Sequence, residues 1–263
     1  MGAGKSLAKL LARNPLSSML KRMLGRRVSF NHLTIRTIAF MLRQRLPFRG
    51  LTIDVSDRSV TPAVKSYLYY GIYEKNEIDL VNKYLDPTDD VIELGSSIGV
   101  MGSIVSHIQT TGKYISVEAD PALLDANRKN LAINRKTDYV LLNKAVDYSA
   151  ETITFAKSAD NLSGKVDGNG GDTVTVETIS LDAICEQYEL KNFVLVCDIE
   201  GAEISIILND EKALSKCAKI IIELHDTEYQ GKSYTKQDMI SLLQKQNFNL
   251  LEQQGTTCVF RQA

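Results

Sequence analysis

Two hydrophobic periods alternate along most of the chain. Short, nearly continuous apolar runs at 91–94, 113–117, 139–143, 193–197 and 219–224 suit strands buried on both faces. Between them apolar residues recur at helical spacing, as in Ile98, Met101, Ile104, Val105 and Ile108, and again across 123–131, 181–190, 202–214 and 236–246. The last two runs, 248–251 and 258–260, fit a hairpin. This alternation predicts an α/β fold, a doubly wound sheet closed by a C-terminal antiparallel hairpin. It breaks once. Thr152–Ile153–Thr154–Phe155 and Thr173–Val174–Thr175–Val176 read as strands around a loop, 158–172, rich in Gly, Asn, Asp and Ser. A flap insertion over about 151–178 is therefore expected, covering a site or standing as an exposed hairpin.

Upstream, a strand is predicted over 51–57, and a helix carrying Ile78, Val81 and Leu85 stops before Asp86–Pro87. Between them lie Tyr67, Tyr69, Tyr70, Tyr73 and Glu74. These tyrosines suit either core positions or a ligand wall, with Tyr70, Tyr73 and Glu74 the candidates for contacting a substrate. Before residue 51, Leu16, Met19, Leu20 and Met23, then Ile35, Ile38, Ala39 and Leu42, predict two short amphipathic helices.

Charge divides the chain where hydropathy does not. The whole sequence of 263 residues carries a net charge of −1, yet residues 1–53 hold 11 Lys/Arg and no acid. A basic amphipathic helical extension (1–60) and a domain (61–263) are expected. The extension could pack on the domain or make a peripheral membrane contact through residues 1–50. The acidic remainder opposes phosphate binding, so nucleic acid is not an expected partner. Cys185, Cys197, Cys217 and Cys258 are widely spaced in apolar surroundings, which suits buried reduced thiols and a cytoplasmic setting.

Candidate chemistry gathers at strand ends. The run Glu93–Leu94–Gly95–Ser96–Ser97–Ile98–Gly99 is a strand, a glycine-bearing turn and a helix start, the form of a nucleotide-type cofactor loop. Ser97 stands where a dinucleotide loop has its second glycine, which disfavours a pyrophosphate and suits S-adenosylmethionine (SAM). Glu118 follows Gly95 by 23 residues at the end of the next strand, where a ribose is bound. Ala119 adjoins it, and Ala145–Val146–Asp147 borders the expected adenine position.

Together with Asp198–Ile199–Glu200–Gly201–Ala202–Glu203, Ile222–Glu223–Leu224–His225 and Gly71–Ile72–Tyr73–Glu74, these motifs resemble the FkbM family of SAM-dependent methyltransferases over about residues 65–262. The resemblance implies a class I, Rossmann-like methyltransferase fold and methyl transfer to oxygen, commonly a hydroxyl of a sugar, a glycan or a secondary metabolite. Carried over by position, Glu93, Gly95, Ser97 and Gly99 would line the methionine end and Glu118 the ribose. Asp198 would lie beside the methyl group.

For the base, the candidates are His225, Asp198 and Glu200, with His225 favoured by its ordinary pKa. Glu203 is placed on the acceptor side or as a helix cap, and no metal is assigned. Two other classes compete: a nicotinamide-type oxidoreductase or epimerase, and a non-catalytic scaffold working through the basic extension. Oligomeric state is not legible.

Overall fold

The computed structural model describes residues 32–135, 137–156 and 173–263. The helix expected around 16–23, most of the basic extension and the loop 158–172 lie outside the described residues.

A central seven-stranded sheet carries the fold. Its strands are β3 (Val91–Leu94), β4 (Tyr114–Glu118), β5 (Val140–Asn143), β9 (Phe193–Cys197), β10 (Cys217–Glu223), β13 (Phe248–Gln254) and β14 (Thr257–Gln262), in the order β13-β14-β10-β9-β3-β4-β5, while β6 (Ala145–Val146), β7 (Thr152–Ala156) and β8 (Thr173–Ile179) form a separate small sheet. β3, β4, β5, β9 and β10 are parallel, while β14 runs antiparallel to β10 and pairs with β13. This is the doubly wound sheet with a closing hairpin that the periodicity predicts. From β3 the chain moves outward through β4 and β5, and then returns to β9 on the other side. The loops after β3 and β9 therefore diverge, opening a crevice at their carboxyl ends.

Alternating side chains divide the core into two layers. Val91, Tyr114, Val194, Val196 and Ile221 point to one face, under helices that include Pro62–Tyr70, Lys75–Tyr84 and Val100–Ile108. Ile92, Leu94, Ile115, Val117, Leu195, Cys197 and Ile222 point to the other, under Leu181–Gln187, Glu203–Asn209 and Lys236–Lys245. All four cysteines are buried and free.

Three elements differ from expectation. Residues 45–54 form a hairpin of β1 (Arg45–Phe48) and β2 (Leu51–Asp54), and Leu46, Phe48, Ile53, Val55 and Val60 share one apolar cluster with Val64, Leu68 and Ile78. The described part of the extension thus packs continuously with the domain across residue 60. The helix expected over 202–214 is two, Glu203–Asn209 and Glu211–Leu214. They break at Asp210, whose carboxylate accepts the N–H groups of Leu181 and Asp182 and caps another helix instead. Finally, β11 (Thr227–Tyr229) and β12 (Lys232–Tyr234) form a short hairpin that carries no clear period. Among the described residues no helix is long and apolar enough to cross a membrane.

Candidate active site

The crevice holds a cavity of about 360 Å³, walled by the loops after β3, β4 and β9 and by Tyr73, Glu74 and Glu223. Gly95 makes the floor possible. With φ +84°, it brings the β3 loop so close to the β9 loop that a Cβ would lie 1.8 Å from the Asp198 carbonyl oxygen. Three non-glycine residues on the wall also adopt left-handed backbone: Glu74 (φ 40°), Ser97 (φ 46°) and Glu200 (φ 53°). Strain of this kind persists where surrounding structure over-determines it, and it gathers at functional sites.

Glu118 is 7% exposed and lines the cavity. Its Oε2 accepts the Ser97 N–H at 2.6 Å and its Oε1 the Asp120 N–H at 2.7 Å, so each oxygen keeps a lone pair for a hydroxyl. Burial pushes its pKa up to about 7 against those two bonds. A carboxylate with a lone pair free on each oxygen is an acceptor suited to a diol such as that of a ribose. Opposite, Asp198 Oδ1 is buried without a hydrogen-bond partner, and burial, with Glu223 and Glu200 nearby, raises its pKa to about 7. Glu74, whose carboxyl burial lifts to about 8, stands on the same wall beside Tyr73. An orphaned acid within a wall this acidic fits a cationic ligand such as SAM, and it suits a pyrophosphate poorly.

Other expected residues lie elsewhere. Glu93 does not line the cavity: the strand alternation turns it toward the helix layer, where the Tyr114 hydroxyl donates to its Oε2 and Arg135 stacks on the Tyr114 ring. Burial raises it to about 8. Gly99 is the left-handed N-cap of the following helix, shaping the loop from below rather than lining it. Asp147 faces a separate shallow groove, because its carboxylate is turned back to accept the Ser149 N–H; Ala145 and Val146 take the cavity wall in its place. Ala119 lines the cavity as expected, whereas Tyr70 stacks edge-on against Tyr69 outside it.

The catalytic candidates converge. His225 Nδ1 lies 3.0 Å from Glu203 Oε1, and Nε2 lies 3.6 Å from Glu200 Oε2 and 3.8 Å from Glu223 Oε1. The hydrogen bond to Glu203 outweighs desolvation and holds the imidazole pKa up at about 9. That shift favours the protonated ring at neutral pH, which weighs against the argument from an ordinary pKa for His225 as the base. Glu203 is fully buried and braces the β9 loop, accepting the Gly201 N–H at 3.1 Å. It positions His225 and the loop instead of meeting an acceptor.

Several contributors carried no motif. Asn127, Asn130 and Asn134, on one face of helix Leu124–Asn134, tie that helix to the β3 loop and to β2. Asn127 Nδ2 donates to the Ser97 carbonyl at 2.9 Å, Asn130 Nδ2 to the Ile98 carbonyl at 2.9 Å, and Asn134 Nδ2 to the Thr52 carbonyl at 2.9 Å. Their i, i+3, i+7 spacing inside a helix, where asparagine is a poor former, was the available signal. Ile153 and Phe155, from the base of the expected flap, also line the cavity, as does Lys144.

A family model for the methyltransferase FkbM domain matches residues 93–250. The hexuronic acid methyltransferase AglP of Haloferax volcanii is 30% identical over 158 residues, 57% of this chain and 63% of that protein. The chain therefore spans less than two thirds of that relative's length. Among solved structures, Streptococcus pneumoniae Sp1610 in complex with S-adenosyl-L-methionine is 15% identical, with a TM-score of 0.43 over 72% of each chain. The magnesium protoporphyrin IX methyltransferase ChlM of Synechocystis PCC 6803 is 9% identical, with a TM-score of 0.40 over 72% of this chain and 77% of that one.

Proposed function

The chain belongs to the FkbM family of SAM-dependent methyltransferases, and from that premise we propose that it transfers the methyl group of SAM to a hydroxyl of a sugar or glycan. The observation that carries this reading is Glu118, at the end of β4, which is held by two backbone N–H groups and lines the cavity. Its carboxylate would accept the ribose hydroxyls, and the acids around Asp198 would offset the positive charge of the methionine end.

SAM supplies a methyl already activated on a cationic sulfonium. The chain's own task is alignment, proton removal and exclusion of water. Alignment supplies much of the rate when the acceptor oxygen is held in line with the transferred carbon. The rim beside Asp198 carries Glu200 and Glu223, whose carboxylates would accept hydrogen bonds from sugar hydroxyls and orient them. The acceptor proton passes to Asp198 or Glu200. His225, bonded to Glu203 and facing Glu200, holds the β9 loop carboxylates in position and is not assigned the proton. Ile153 and Phe155 supply an apolar wall against water.

The name of the AglP relative supports a sugar acceptor. The acidic rim favours a neutral hydroxyl over the carboxylate of a uronic acid. Radiolabelled SAM incubated with neutral sugars, uronic acids and polyphenols separates the classes. Label transferred to a neutral sugar hydroxyl is the expected result, and transfer only to a carboxylate or a phenol would overturn the acceptor assignment.

A further inference from the structure

Among the described residues, Asp198, Glu203 and His225 meet just beyond β9 and β10 as a group of metal-ligating side chains. One ligand atom from each of the three lies within 4.8 Å of the other two. Two buried oxygens here, Asp198 Oδ1 and Glu203 Oε2, have no hydrogen-bond partner. Glu203 is 0% exposed, and the cation that Glu203, Glu200 and Glu223 face within 4 Å is His225. Unpaired carboxylate oxygens in a dry environment are costly, and a bound cation is one of the few partners able to repay several at once.

We propose that Asp198, Glu203 and His225 form a site for one divalent first-row cation, Mn²⁺ being representative. Two carboxylates and one imidazole, which releases its ring proton to solvent as the ion binds, form a mixed hard and borderline donor set, suited to Mn²⁺, Fe²⁺ or Zn²⁺ more than to Mg²⁺ or Ca²⁺. The two loops that supply the ligands are fixed before any ion arrives: Glu203 Oε1 anchors the Ile199 and Gly201 N–H groups, and Glu223, at the end of β10, is tied to Thr256. Because three protein donors leave positions open, the ion could also take an acceptor oxygen at the rim of the cavity. Asp198 then acts as a ligand, leaving Glu200 to receive the acceptor proton. What the ion does rests on the methyltransferase reading, but its binding does not.

The test is Mn²⁺ titration of chelator-treated full-length protein, read by the electron paramagnetic resonance of free Mn²⁺, with SAM affinity measured on the same samples. One Mn²⁺ per chain is expected in the wild type, with binding weakened by more than about 10-fold in Asp198→Asn and in His225→Asn. Should Asp198→Asn fail to fold, His225→Asn decides alone, since that ring is partly exposed. No Mn²⁺ uptake, or equal uptake by wild type and folded variants, would overturn the proposal. Loss of SAM binding by the wild type would instead overturn the methyltransferase reading and leave the cation result standing.

Discussion

Ser97 donates its backbone N–H to Glu118 Oε2 at 2.6 Å from a left-handed conformation, φ 46°. The cofactor loop after β3 and the acid at the end of β4 are thus one unit. The bond fixes the strained residue, and the strained residue aims the acid.

That coupling sets the response of position 97. A glycine relieves the left-handed strain but gives the unfolded chain more freedom, and the two effects nearly offset. Ser97→Gly should leave stability within about 1 kcal/mol of wild type and preserve SAM binding. Ser97→Val, β-branched at positive φ, should lose about 2 kcal/mol or more. Thermal denaturation and calorimetric titration of both variants check the pair.

Gly95 tolerates nothing larger. The Cβ of Gly95→Ala would sit 1.8 Å from the Asp198 carbonyl oxygen, so the β3 and β9 loops must separate. A lowered melting temperature together with loss of SAM binding is expected, the binding loss exceeding that of Ser97→Val. Unchanged affinity in Gly95→Ala would show that the approach of the two loops does not shape the site.

Stability of the ligand-free protein should fall as pH rises. Burial raises Glu74 and Glu93 to about 8 and Glu118 and Asp198 to about 7, while Glu203 raises His225 to about 9. In every case the folded state binds more protons than the unfolded one between the ordinary and the raised pKa, so stability is lost as pH climbs through that window. Acids with lowered values, such as Glu252 at about 2, act only below the ordinary carboxylate range. Melting temperature is expected to decline from about pH 5 to about pH 9, at roughly 2–4 °C per kcal/mol. Glu93→Gln should flatten part of the slope. Melting curves across this range, with and without SAM, test both statements.

The imidazole of His225 can be followed directly. In metal-free protein its ring protons should titrate near 9, and Glu203→Gln should move that midpoint downward, because the hydrogen bond to Glu203 is the largest cause of the shift. Nuclear magnetic resonance of the three histidines resolves it. A midpoint near the ordinary histidine value would restore His225 as a base.

What was legible followed physical period. Strands buried on both faces and helices with one apolar stripe left regular marks, so the sheet and its closing hairpin could be read before the structure. Gly95, Ser97, Glu118 and Asp198 were legible because strand ends and glycine turns place chemistry at fixed spacing. Glu93 and Asp147 misled for opposite reasons. One sits on a strand whose alternation turns it toward helices, and the other is captured by a local turn with Ser149. The asparagine straps of helix Leu124–Asn134 act across 30 or more positions, as from Asn127 to Ser97, and no local pattern announces such a bond. The protonated state of His225 depends on Glu203, which is 22 residues away and was legible as a helix cap.

The central claim is that the cavity in the crevice beyond β3, β4 and β9 binds SAM through Glu118. Isothermal titration of SAM into the wild type and Glu118→Gln at pH 8, where the wild-type carboxylate is charged, tests it most directly, with NAD as the control ligand. The account predicts one SAM per wild-type chain, no NAD binding, and about 10-fold or greater weakening in the variant, since charged hydrogen bonds to the ribose are lost. Equal SAM affinity in the two proteins, or NAD binding in place of SAM, would contradict it.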